Sequence, residues 1–156
     1  MKNCLICRVK KYLFDKESGF FREMSAFGNF IVLSFLMFLF FGYGNTFLEI
    51  YVYFVMLEIF ICAIKVIFYK DRPKKEKYSN IIEKISASSF PSSHSARSLF
   101  VFLSIFSLLG GIERLFLVCI PMAVGFSRVL IKKHYVIDVV VGYVIGAIFF
   151  LCYIIL

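Results

Sequence analysis

Five long apolar runs dominate this chain and leave few folds open to it. They lie at about 26–43, 47–69, 95–109, 115–131 and 136–156. Such runs are typical of helices that cross a bilayer, because a helix satisfies its own backbone hydrogen bonds. The hydrophobic content is 61% and the mean hydropathy is +0.87. One small soluble core of a 156-residue chain could not bury that much apolar surface. The sequence therefore predicts an all-α, polytopic membrane helical bundle of about five transmembrane helices.

The first 25 residues have a different character from the rest. Cations alternate there with Leu, Ile, Phe and Tyr, and no apolar run is long enough for a signal peptide. This pattern predicts an interfacial amphipathic segment at 1–25. With no internal repeat in the sequence, a single membrane domain is expected at 26–156.

The net charge of +8 predicts how the bundle is oriented. Lys and Arg concentrate in the N-terminal segment, in the 70–93 loop and at Lys132 and Lys133, and the opposite face has only Arg114. The positive-inside rule then predicts a multi-pass protein of the cell membrane with the long loop in the cytoplasm. Because the cations form no continuous stripe, no nucleic-acid partner is expected.

Two sequence features bear on partners and metals. Gly142 and Gly146 form a G-x-x-x-G pair that lets another helix approach closely, either within the chain or in a second subunit of a homodimer. Cys4 and Cys7 have C-x-x-C spacing, but no second pair of thiols or histidines lies near to complete a metal site. The sequence predicts no bound metal and no cofactor.

Ionisable side chains within or beside apolar runs are expensive, so each needs a partner or a function. Lys65 and Arg72 are seven residues apart and share one helix side, with Glu58 seven residues earlier as a structural ion-pair partner for Lys65. Ser92 and Ser93 directly precede an apolar run, where a helix N-terminus can bind an anion. These residues predict an anion site at one membrane face.

The two histidines of the chain both lie at the starts of predicted spans on that face. His94 follows the serines and offers a titratable proton beside a bound anion. His134 and Asp138 are four residues apart, so on a helix the carboxylate can orient one imidazole nitrogen and leave the other free. Arg97, one turn after His94, is interpreted as a snorkelling cation or a further phosphate contact.

Three motifs in this order resemble those of the type 2 phosphatidic acid phosphatase superfamily, which includes bacterial class A acid phosphatases and vanadium haloperoxidases. Residues 65–73 match K-x6-R-P, residues 91–94 match P-S-G-H, and residues 127–138 match S-R-x5-H-x3-D. Ser93 stands where the family has glycine, and the chain has five predicted spans where membrane members typically have six.

The resemblance implies a phosphatase that forms a phosphohistidine. His134 would be the nucleophile, Asp138 would hold its tautomer, and His94 would protonate the leaving group. The residues implied to bind the phosphate are Lys65, Arg72, Ser92, Ser93 and Arg128.

The substrate expected first is a polyprenyl diphosphate, with phosphatidic acid or phosphatidylglycerol phosphate as the alternative. An alternative of another class is a protein that binds or transports a lipid headgroup without chemistry. A haloperoxidase is disfavoured because such members of the superfamily are soluble. The active site is expected at the membrane interface, on the cytoplasmic side.

Overall fold

The computed structural model describes residues 28–39, 44–74, 80, 84–85, 87–109 and 117–156. Within these residues the chain forms helices and no strand, as the all-α prediction requires. The helices are α1 (Phe30–Leu39), α2 (Asn45–Ile67), α3 (Ser93–Leu108), α4 (Cys119–Leu130) and α5 (Val136–Ile155). The predicted amphipathic segment at 1–25, with Cys4 and Cys7, and Arg114 on the opposite face lie outside the described residues.

Each predicted apolar run overlaps one of the five helices of the described residues, and the boundaries of the longest two agree closely. The run predicted at 47–69 is α2, which has 23 residues, and the run predicted at 136–156 is α5, which has 20 residues. At about 1.5 Å per residue these helices are about 35 Å and about 30 Å long. Both are long and apolar enough to cross a bilayer, with a hydropathy of 2.3 over their most apolar stretches.

Helices α3 and α5 pack closely through the two glycines of α5. A Cβ atom on Gly142 would lie 2.5 Å from the carbonyl oxygen of Ser92, and one on Gly146 would meet the carbonyl oxygen of Ala96. Only glycine therefore permits this approach. Within the chain, the G-x-x-x-G face therefore packs against α3, which is one of the two predicted partners, and a homodimer stays a prediction.

An apolar core fills the bundle away from its loops. Phe54 on α2 is fully buried, and its ring centroid lies 5.3 Å from that of Phe30 on α1 and 6.4 Å from that of Phe100 on α3. Ile145 brings α5 into the same cluster. Outward faces of the helices carry many large exposed apolar side chains, among them Ile59, at 65% exposure.

Polar groups gather at one end of the bundle. Helix α2 ends there, α3 begins there, α4 ends there and α5 begins there, as expected for helices that run alternately up and down. Backbone hydrogen bonds join the connections: the amide of Lys74 donates to Lys132 (3.1 Å), and that of Ser92 donates to Asp138 (2.9 Å). Residues whose separation in the sequence is large therefore meet here.

Candidate active site

A cavity of about 240 Å³ opens at the polar end. Six of the eight predicted site residues line it, namely Lys65, Arg72, Ser93, His94, Arg128 and His134. Glu58, Ile61, Cys62 and Arg97 complete the lining. The structure therefore brings all three sequence motifs to one cavity, although they are spread over more than seventy residues.

Three cations of the lining give the cavity a positive character. Lys65 comes from the last turn of α2, Arg72 from the connection that follows it, and Arg128 from the last turn of α4. Lys65 is 6% exposed and Arg128 is 8% exposed. Buried cations are costly unless anionic or polar groups compensate them. This arrangement suits an anion with several oxygens, such as a phosphoryl group.

The start of α3 adds backbone dipoles to this positive field. Ser93 is the first helical residue and His94 the second, and both line the cavity. His94 Nδ1 is buried without a hydrogen-bond partner among the described residues. Ser92 does not line the cavity, because its hydroxyl is fully buried and lies 2.9 Å from the Ser95 hydroxyl. The predicted contact from the Ser92 hydroxyl to phosphate is therefore not provided by this arrangement.

His134 is held by a backbone carbonyl. Its Nδ1 lies 2.6 Å from the carbonyl oxygen of Ser89. A carbonyl oxygen only accepts hydrogen bonds, so Nδ1 carries the proton in this contact and Nε2 keeps its lone pair. The prediction that Asp138 orients His134 directly is therefore wrong. The carboxylate would need to contact Nδ1, and the Ser89 carbonyl already does so.

Asp138 instead ties together the chain segments around His134. Its carboxylate accepts from Lys70 Nζ (2.7 Å), from the Ser89 hydroxyl (2.5 Å) and from the backbone amide of Tyr135 (2.9 Å). Asp138 is fully buried, whereas Lys70 is partly exposed and also lies over the Tyr135 ring. Asp138 therefore reaches His134 through Ser89, whose hydroxyl contacts the carboxylate and whose carbonyl contacts the imidazole.

The surroundings of His134 favour the neutral imidazole. Burial lowers the pKa of His134 to about 3, and the nearby positive charge of Arg128 adds to this effect. The hydrogen bond to Ser89 opposes the shift, while Lys65 and Arg72 contribute to it. A neutral imidazole with an available lone pair is the form that acts as a nucleophile.

Glu58 and Arg97 form an ion pair at the edge of the cavity. The Arg97 guanidinium donates to the Glu58 carboxylate and, at 3.3 Å, to the carbonyl oxygen of Gly28. Glu58 was predicted to pair with Lys65; its direct ion-pair partner is Arg97, which lies one helical turn after His94, and its charge also attracts Lys65. Arg97 is also not a snorkelling surface cation, since its side chain is 13% exposed and lines the cavity.

Sequence reasoning missed Ser89 and Lys70. Ser89 lies two residues before the second motif and is fully buried, and Lys70 lies within the first motif at a position that the motif leaves open. One signal for Ser89 is its place in a run of small residues, 86–89, shortly before a motif. Nothing in the sequence distinguishes Lys70 from its neighbouring cations.

Comparisons with known proteins identify the family of this chain. The family model described as the PAP2 superfamily matches residues 46–156, which include all three motifs. The crystal structure of Aquifex aeolicus LpxE is similar in fold, with a TM-score of 0.73 and 20% sequence identity over 88% of this chain and 84% of that chain. No curated protein matches the sequence. The chain belongs to the PAP2 superfamily, and it is a phosphoric ester hydrolase.

Proposed function

We propose that this protein is an integral membrane phosphatase that hydrolyses a lipid phosphate or diphosphate through a phosphohistidine intermediate. The observation that carries the proposal is the shared cavity, where a neutral His134 faces three cations and His94. An anion that enters this cavity meets both a nucleophile and the charges that stabilise a transferring phosphoryl group.

In the first step, His134 Nε2 attacks phosphorus and the bond from phosphorus to the leaving oxygen breaks. The electron pair of that bond goes to the leaving oxygen, which takes a proton from His94. Lys65, Arg72 and Arg128 offset the charge on the phosphoryl oxygens that do not react. The products are an alcohol, or a phosphate monoester from a diphosphate, and a phosphoryl group on His134.

In the second step, water attacks the phosphohistidine. His94, now without its proton, accepts one from the water, and the bond from phosphorus to Nε2 breaks. Inorganic phosphate leaves and the neutral imidazole is restored. The hydrogen bond from Nδ1 to the Ser89 carbonyl persists throughout and is strongest while His134 carries the phosphoryl group, because the imidazole ring is then positively charged.

The membrane part of the proposal rests on the exposed surface of the helices. Outward positions of α2 and α5 carry large apolar side chains, for example Val52 and Leu151, which a bilayer would cover. Lys74 and Lys132 lie at the same end as the cavity and are joined through their backbones. By the positive-inside rule this end would face the cytoplasm, with the cavity at the membrane interface.

Substrate choice within the lipid phosphates is open to direct test, and a polyprenyl diphosphate is the first candidate. A lipid with its phosphate at the interface can reach His134 while its chain stays among the apolar helix faces. Phosphatidic acid and phosphatidylglycerol phosphate satisfy the same requirement and are the alternatives.

The test is phosphate release by detergent-purified protein in EDTA with each of these lipids, alongside His134→Asn. We expect release from at least one lipid, its loss in the variant, and acid-labile phosphate on the wild-type protein after a rapid quench. No release from any lipid, together with binding of the same lipids, would instead support a headgroup-binding or transport function. Activity that requires a divalent cation would contradict the metal-independent mechanism.

A further inference from the structure

We propose that Ser89 is a positioning residue through which Asp138 and Lys70 act on the nucleophile. The Ser89 carbonyl fixes the imidazole of His134 with its proton on Nδ1, and the Ser89 hydroxyl is held on the Asp138 carboxylate. The inference rests on the proposed phosphohistidine mechanism for its catalytic meaning, but the tautomer that it specifies can be measured without substrate.

The contacts of Ser89 explain why its carbonyl stays in place. Its amide donates to the carbonyl oxygen of Lys70 (2.7 Å), its hydroxyl donates to Asp138 (2.5 Å), and its carbonyl accepts from His134 (2.6 Å). All three polar groups of this fully buried residue are therefore satisfied. These contacts lead to two segments, the connection after α2 and the start of α5, so both segments determine the position of the carbonyl.

A carbonyl differs from a carboxylate as the partner of Nδ1. It carries no net charge and cannot take a proton, so it selects the tautomer without greatly raising the basicity of the imidazole. This matters here because the other groups around His134 are mostly cations. The charged and titratable groups that face it are Lys65 from α2, Arg72 from the next connection, His94 from α3, Arg128 from α4 and, through Ser89, Asp138 from α5.

Lys70 sets how much of the Asp138 charge reaches the imidazole. Its ammonium group lies 2.7 Å from one carboxylate oxygen, and the other oxygen binds Ser89 and Tyr135. With Lys70 present, the negative charge of Asp138 is offset, and its carboxylate acts mainly as a fixed hydrogen-bond acceptor. Without Lys70, the carboxylate would be unbalanced and would favour a protonated His134.

The first test is ¹⁵N NMR of histidine-labelled protein in detergent, because the chain has only two histidines and His94→Asn assigns them. In the wild type we expect His134 Nδ1 to carry the proton and Nε2 to be unprotonated. In Ser89→Ala the two nitrogens should move towards the average of both tautomers. We expect kcat to fall about 10- to 100-fold with little change in KM, and Ser89→Thr to restore both signals and rate.

Ser88→Ala is the matched control for the segment. Ser88 is also fully buried, but its hydroxyl contacts the Lys70 amide and the Phe90 carbonyl and does not contact Asp138. This variant should leave the tautomer signals of His134 unchanged. If Ser89→Ala keeps the wild-type signals, or if Ser88→Ala changes them equally, Ser89 has only a structural role and the proposal is overturned.

Lys70→Met tests the electrostatic part and does not depend on whether Ser89→Ala folds. We expect the acid limb of the kcat/KM profile, and the protonation midpoint of His134 by NMR, to move up by about half a pH unit to one unit. Lys132→Met removes the same charge two residues from His134 and should shift neither. Equal shifts in both variants, or none in Lys70→Met, would overturn the proposal. Absence of phosphate release by the wild type would affect only the proposed function.

Discussion

The first turns and the middle of helix α3 are both buried but are held by different forces. Its first turns lie among polar groups, where Ser92, Ser95 and Ser98 are each fully buried and hydrogen-bonded. Its later turns lie in the apolar core, where Phe100 and Val101 are fully buried against other helices. The first turns are therefore positioned by directional hydrogen bonds and the middle of the helix by close packing.

Along this one helix, the polar first turns therefore serve catalysis and the apolar turns that follow serve stability. A hydrogen bond specifies the position of an atom to within a few tenths of an ångström, which a nucleophile and its phosphate require. Packing of apolar side chains stabilises the bundle but accepts small shifts. We therefore expect substitutions at the polar end to reduce catalysis in a folded protein, and substitutions in the apolar core to reduce stability with little effect on kcat.

The largest effect should come from His134→Asn at the polar end. Loss of the nucleophile is expected to lower kcat by about 10⁴-fold or more, because no other described group can replace Nε2. The amide of Asn can still donate to the Ser89 carbonyl, so the protein should stay folded. Initial rates and thermal unfolding in the same detergent check both parts. A variant that unfolds would show that the polar end also carries the stability of the bundle.

The next effect should come from Phe54→Ala in the apolar core. Removing this ring leaves a cavity beside Phe30 and Phe100 and should lower the free energy of unfolding by about 3 kcal/mol, with kcat of the folded enzyme unchanged. Phe35→Ala is the matched control, since Phe35 is 63% exposed. Chemical unfolding in mixed micelles measures the difference. A parallel fall in kcat would show that the apolar core also determines catalysis, against the proposed division between catalysis at the polar end and stability in the core.

Acid should destabilise the polar end through His134. The pKa of His134 is about 3 in the folded protein and about 6.5 when unfolded, so the unfolded state binds the extra proton between these values. The contribution of neutral His134 to the free energy of unfolding is complete above about pH 6.5 and is lost as the pH falls towards 3. At pH 4 this loss is about 3 kcal/mol. Unfolding midpoints from pH 7 to pH 4 should fall less steeply in His134→Asn. Identical slopes would mean that His134 does not titrate on unfolding.

The smallest effects are expected from alanine substitutions at the two glycines of α5, which lie at different distances from the cavity. Gly146→Ala places a methyl group against the Ala96 carbonyl and should cost about 1–3 kcal/mol of stability with kcat retained. Gly142→Ala meets the Ser92 carbonyl and the start of α3, so it should also lower kcat severalfold by moving Ser93 and His94. Equal kcat values for the two variants would show that the start of α3 does not transmit this displacement.

Much of the fold and of the site could be predicted from the sequence because both leave local patterns. Long apolar runs predicted the helices, and α2 and α5 end within two residues of the predicted boundaries. The motifs identified six residues that the structure places around one cavity. The roles of these residues in catalysis stay predictions until the variants are measured.

The pairings that the sequence did not predict share one cause, which is that they join distant segments. Spacing along a helix suggested that Asp138 orients His134 and that Glu58 pairs with Lys65. The structure pairs His134 with Ser89 and Glu58 with Arg97. Each true partner comes from a different element, and a sequence pattern within one helix carries no information about it.

The sequence by itself determined the helical class, the chemical types of the site residues and their family, because these depend on composition, periodicity and motif spacing. Only the tertiary structure decided which group holds His134 Nδ1, where Asp138 directs its charge and which helix covers Gly142 and Gly146. The physical reason is that hydrogen bonds and close packing depend on distances of a few ångströms between segments, and those distances are set only when the helices pack together.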